Sequence, residues 1–134
     1  MPVATADDLA GLPLFDELDE KERAAIAHWF EVQEAGPGVH LTGEGASGYT
    51  FYVLSDGTAS VTIDGVEVNA LGPGDFFGEL AILGDGVRTA TVITTSPSRL
   101  LSLFGTEFRR LQQEHPELAR RIEAGVRARL WQAA

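Results

Sequence analysis

Glu79 and Arg88 stand nine residues apart in a glycine-rich stretch, FFGELAILGDGVRTATV, and Arg88 is the only Lys or Arg between residues 24 and 98. A guanidinium is a planar fork of donors suited to a carboxylate or a phosphate, and a hydrogen bond to such a charged group contributes about 1.5–3 kcal/mol. The residues before it supply the rest of an anion site. A short helix starting near Gly78 would leave the N–H groups of Leu80 and Ala81 unpaired at the positive end of its dipole, where a phosphate binds readily. Glu79 would repel that phosphate, so its use is to accept from a neutral hydroxyl and to orient Arg88. The same two residues could form a plain structural ion pair, but the Gly and small residues around them leave room for a ligand.

The rest of the chain narrows which anion that is. Twenty Asp and Glu against ten Lys and Arg give a net charge of −10, a field that repels phosphate polymers and argues against nucleic acid as a direct partner. A small anion is different, because a few N–H groups and one cation converging on a point can hold it. No apolar run approaches the roughly 18 residues that span a bilayer, so no direct membrane contact is expected. The first residues, MPVATADDLA, carry acids where a secretory signal carries Lys or Arg, which points to the cytoplasm. With no Cys, thiolate metal sites and cysteine nucleophiles are excluded. His28, His40 and His115 are scattered, and neither a His-x-His pair nor a Ser-His-Asp arrangement is suggested, so neither an enzyme nor a cofactor is expected.

The stretch must be positioned by its surroundings, and 134 residues make about one domain. Residues 7–34 mix apolar and acidic positions at helical spacing, with Ile26, Trp29 and Phe30 on one face and Asp19 with Glu22 as a capping box, predicting a helix over 20–33. Residues 36–104 hold twelve of the fifteen glycines and predict strands at 39–42, 49–54, 58–63, 66–71, 89–95 and 99–104, with Asp64-Gly65 as a two-residue hairpin turn. Gly72-Pro73-Gly74-Asp75 ends one strand in a turn, Phe76 and Phe77 serve as anchors, and 79–83 form a single helical turn. Strands without intervening helices point to a sandwich or rolled barrel. In 105–134 the period turns helical again. Thr106 is placed to cap a helix running toward Glu114, Pro116 to open another, and Leu118, Ile122, Val126 and Leu130 form an apolar stripe.

In its order of residues the stretch resembles the phosphate-binding cassette of the cyclic nucleotide-binding domain family, that of the regulatory subunits of cyclic-AMP-dependent protein kinase and of the bacterial catabolite activator protein. Phe77-Gly78-Glu79-Leu80-Ala81-Ile82, a variable turn, then Arg88-Thr89-Ala90 match its motif, and the likeness extends through "LPLFDELDEKERAAIA", "FYVLSDGTASV" and "FRRLQQEHPELARRI". The resemblance implies a mainly β, α+β fold: an antiparallel β-roll (a jelly roll or double-stranded β-helix) with an N-terminal helical segment and two C-terminal helices, one domain over 1–134. It implies that Glu79 accepts from the ribose 2′-hydroxyl, that Arg88 clamps the exocyclic phosphate, that the N–H groups of Leu80, Ala81 and Thr89 complete the cradle, and that Gly78 permits close approach. The Thr89 hydroxyl can touch the purine, and the last helix can bring Arg127 or Trp131 over the base. The implied function is a sensor of cyclic AMP or cyclic GMP, whose binding moves the C-terminal helices, with a homodimer partner or a fused or tethered effector domain. The alternative is a degenerate, ligand-free interaction or dimerisation domain of the same fold, pairing through the stripe from Leu118 to Leu130.

Overall fold

The computed structural model describes residues 3–42, 50–78 and 90–133, with the side chains of 42 and 129–133 outside that description. A short α1 (Ala6–Leu9) and a 3-10 turn (Pro13–Phe15) lead into α2 (Glu20–Ala27). The α2 start follows its capping box: Asp19 accepts from the Glu22 N–H at 2.8 Å and Glu22 accepts from the Asp19 N–H at 3.0 Å. The helix then stops earlier than its pattern predicts. Trp29 and Phe30 fold back onto Ile26 and Ala27 through backbone bonds, and Glu31–Ala35 is a strand, β1, not the last turn of a helix. Pairing with the far end of the chain overrides the helical preference of Glu, Gln and Ala there.

Seven more strands follow: β2 (His40–Thr42), β3 (Thr50–Asp56), β4 (Ala59–Ile63), β5 (Val66–Leu71), β6 (Phe76–Phe77), β7 (Thr91–Thr94) and β8 (Ser98–Phe104). They make two antiparallel four-stranded sheets, β1-β8-β3-β6 and β2-β7-β4-β5. This is the expected β-roll with flanking helices. The β4–β5 turn is Asp64-Gly65, with φ of 53° and 77°, as its sequence predicts.

The first sheet is covered on both faces. Phe51, Val53, Leu101 and Leu103 point to the helices and join Leu9, Phe15, Ile26, Phe30 and Phe108 in one core. Leu54, Leu100 and Phe77 point the other way and meet Ala59, Leu71 and Val92 of the second sheet. Successive side chains of a strand alternate faces, so doubly covered strands read as continuous apolar runs.

At the C-terminal end α3 (Gly105–Glu114) and α4 (Pro116–Ala133) are separated by His115, whose φ of −138° and ψ of 66° break the helix. Pro116 opens α4 as expected. Thr106 does not cap α3: the N-cap is Phe104, with no side-chain bond, because β8 runs straight into the helix. The apolar stripe of α4 is also not a free face. Ile122 and Val126 are buried in the chain's own core, with Leu118 packed against it, and Gly125 lies so near the 3-10 turn that an added Cβ would come within 3.0 Å of Leu14 Cδ1. Pairing of copies through this stripe would require α4 to leave the core.

Candidate functional site

The cassette begins where β6 ends. Phe76 and Phe77 pair with Val53 and Tyr52 of β3, and because neighbours alternate, the two rings anchor in different cores. Phe76 packs beside Phe51, centroids 5.5 Å apart, on the helix side. Phe77 is 6% exposed and stacks on Tyr52 at 5.0 Å, between the sheets. Moving β6 would therefore disturb both cores at once.

The turn before β6 is fixed by its own hydrogen bonds. Asp75 N–H donates to Gly72 O at 3.1 Å, and the Asp75 carboxylate accepts from Gly72 N–H at 2.8 Å. Gly74 N–H reaches Leu54 O at 2.7 Å, and Leu54 N–H reaches Asp75 O at 2.8 Å, so the turn is bonded to β3 as firmly as a strand would be. Gly74 has φ +94° and sits against Pro13, where an added Cβ would meet Cδ at 2.9 Å. Nothing in the sequence connects Pro13 with Gly74. The only local signal is Gly-Pro-Gly-Asp as a turn.

Gly78 follows with φ of 76°, a backbone state costing an L side chain about 1–2 kcal/mol, and it is buried. Of the expected ligand-binding residues, Phe77 and Gly78 stand at this exit and Ala90 stands half-buried at the bend that enters β7. Glu79, Leu80, Ala81, Arg88 and Thr89 lie outside the described residues. β6, before the segment, belongs to one sheet and β7, after it, to the other.

Of the two residues expected near a base, Arg127 is exposed and its Nη2 lies 3.0 Å from Glu123 Oε1 on the same helix. The Trp131 backbone is helical within α4 and its side chain lies outside the described residues. A groove of about 490 Å³ separates the 3-10 turn from α4, bounded by Leu14, Asp16, Arg121 and Gly125 among others. Among the described residues of the cassette, Phe77, Gly78 and Ala90 do not line it. No helix among the described residues is long and apolar enough to cross a membrane.

Known proteins share both the sequence and the fold. The cAMP-dependent protein kinase regulatory subunit of Colletotrichum orbiculare is 40% identical over 107 residues, covering 78% of this chain and 27% of its own length. The chain spans about a quarter of the length of such curated relatives. Among solved structures, the N-terminal domain of a transcriptional regulator from Streptomyces coelicolor aligns with a TM-score of 0.77 and 29% identity, covering 95% of this chain and 94% of that one. The catabolite activator protein of Thermus thermophilus gives 0.75 and 28%, covering 90% and 59%. The sequence model of the cyclic nucleotide-binding domain matches residues 32–115, from β1 to His115, where α3 ends. With that match spanning the roll and the cassette, the chain belongs to the cyclic nucleotide-binding domain family.

Proposed function

We propose that this chain is a regulatory sensor module that binds a cyclic purine nucleotide and turns occupancy into a displacement of its C-terminal helices, with no chemistry of its own. The observation that carries the reading is that the motif segment leaves from β6 in one sheet and returns at β7 in the other, with Phe77 before it and Val92 after it buried in one core. Arg88 supplies the guanidinium fork for the cyclic phosphate, Glu79 accepts from the ribose hydroxyl, and the N–H groups of Leu80, Ala81 and Thr89 complete the cradle. The regulatory-subunit relatives named above support the ligand class, and the cytoplasm is where such a module would work.

Signal leaves through the hinge. α3 and α4 meet at the non-helical His115, where Pro116 has no N–H to continue the ladder. α4 rests on the 3-10 turn at Leu14, and the same turn rests on Gly74 at the cassette entry. A nucleotide that shifts the cassette thereby shifts the seat of α4, biasing a two-state helix position, with Arg127 or Trp131 brought over the base. The module works in the context of a homodimer or of a fused or tethered effector domain.

Calorimetry with cyclic AMP and cyclic GMP tests the binding. Arg88→Ala is expected to weaken the nucleotide at least tenfold, the equivalent of about 1.4 kcal/mol, while leaving the melting temperature of the ligand-free protein nearly unchanged. A collapse of ligand-free stability would make Arg88 a structural ion-pair member instead, and silence of the native protein toward both nucleotides would remove the reading.

A further inference from the structure

Of the arginines on α4 whose side chains are described, two pair within the helix and one does not. Arg120 pairs with Glu117 and Arg127 with Glu123. Arg121 reaches across to α2, where its Nη1 donates to Glu22 Oε2, and among the described residues this is the only ion pair that ties α4 to another element. The other oxygen of Glu22 is also in use, because Oε1 accepts the Asp19 N–H in the α2 capping box. With side-chain exposures of 41% and 27% the pair is partly in water, so its hold on α4 is modest and can be shifted.

Arg121 has carboxylates on a second side as well. It lines the groove of about 490 Å³ between α4 and the 3-10 turn, and Asp16 and Glu17 line the same groove. Both are exposed, and among the described residues neither carboxylate has an ion pair or a hydrogen bond. The face that α4 turns to this groove consists of Arg121, Ala124, Gly125 and Ala128, which fall on one side of a helix. Beyond Arg121 no side chain on that face is longer than a methyl group, so it presents no ridge to lock into the opposite wall. α4 can shift there by the about 1–2 Å usual for packed helices while Ile122 and Val126 stay in the core.

We propose that Arg121 is a partner-exchange switch for α4: in the seated position its guanidinium is held by Glu22, and in the shifted position by Asp16 and Glu17. The cation is then paired at both ends of the movement and unpaired only between them, which makes two discrete helix positions out of a smooth seam. The inference rests on the reading above that nucleotide occupancy displaces α4, and it adds which residues define the two positions.

Four variants distinguish the switch from an ordinary ion pair. Glu22→Gln keeps an acceptor for the Asp19 N–H, since Gln serves a capping box as Glu does, but removes the charge that holds the seated position. Asp16→Asn with Glu17→Gln removes the charges of the shifted position, and Arg121→Gln removes the cation from both. Glu20→Gln, on α2 but outside the groove and the pair, reports the effect of one charge fewer. Helix position is read as the distance between spin labels on Ala24→Cys and Arg120→Cys, both exposed sites in a chain with no Cys of its own, and calorimetry with cyclic AMP and cyclic GMP follows at low ionic strength. Glu22→Gln is expected to raise the shifted population and the nucleotide affinity about threefold, and the Asp16 and Glu17 double variant to lower both about threefold, within the range of partly exposed ion pairs. Arg121→Gln and Glu20→Gln should leave both within about twofold. If Glu22→Gln and Arg121→Gln move the helix alike while the double variant does nothing, or if no variant moves it, the exchange is overturned. Distances that move in opposite directions in a chain silent toward both nucleotides uphold the switch and remove the nucleotide reading alone.

Discussion

Gly74→Ala puts the structural coupling between the N-terminal segment and the cassette to a quantitative test. At φ +94° an L side chain is strained, by about 1–2 kcal/mol. The added Cβ would also stand 2.9 Å from Pro13 Cδ and 3.4 Å from its Cγ. The ring's backbone is held in place, because Leu14 and Phe15 beside it are buried at 7% and 1% exposure. Overpacking of that kind costs roughly 1–3 kcal/mol, so with the φ strain the sum is about 2–5 kcal/mol. With a urea slope of about 2 kcal/mol per molar, the unfolding midpoint should fall by about 1–2.5 M. Gly72→Ala is the matched control two residues away, where a Cβ meets nothing within 4 Å and φ is not positive, and it should stay within about 0.5 kcal/mol of the native chain. Because the Gly74 turn is bonded to Leu54 and feeds β6 directly, nucleotide affinity measured well below the unfolding midpoint should drop in Gly74→Ala and hold in Gly72→Ala. If the two variants unfold at the same urea concentration, Pro13 is not seated on the turn and the proposed route from cassette to α4 fails at its first contact.

Two further outcomes follow from α4. Ile122→Ala, at 1% exposure, should cost about 3 kcal/mol, and the unfolding midpoint of both native and variant chains should be independent of protein concentration; a midpoint rising with concentration would mean that the stripe pairs copies rather than filling this core. Glu117 should titrate below the usual glutamate value of 4.5, because Arg120 hydrogen-bonds its carboxylate and adds favourable charge. A depressed carboxyl stabilises the fold above its unfolded value and loses that effect as pH falls through the folded one, so the contribution disappears below about pH 4.5. Carboxyl NMR should place the Glu117 midpoint low and return it to the ordinary value in Arg120→Ala or high salt; an unmoved midpoint would contradict the contact.

What the sequence disclosed was whatever is decided within a few residues. The Asp19 and Glu22 box, the Asp64-Gly65 turn and the Pro116 helix start depend on φ preferences and on side chains that reach their own backbone, and each stands where its residues place it. β1 was illegible for the opposite reason. Glu31, Gln33, Glu34 and Ala35 favour a helix, and only the β8 partner some seventy residues away makes them a strand. β6, at two residues, is too short for any periodicity. The Thr106 cap failed because an N-cap must precede the helix, and the helix already includes Gly105. The cassette was legible as a motif because its chemistry needs particular residue types at particular spacings. The seat of Pro13 on Gly74 needs only an absent Cβ and a ring, which no pattern announces.

The two phenylalanines at the cassette entry show why motif and fold depend on each other. In an open sheet with one wet face, adjacent apolar residues would leave one ring in water. Here helices cover one face and the second sheet covers the other, so Phe76 and Phe77 are both held and the backbone between them cannot rotate without opening a core. Gly78 leaves that anchored strand with a positive φ, a backbone state that glycine adopts without a Cβ penalty. In a chain of net charge −10, long-range attraction cannot gather an anion. In the proposed reading, affinity comes from donors already aimed at one point, and the doubly anchored β6 fixes where the segment proposed to carry them begins.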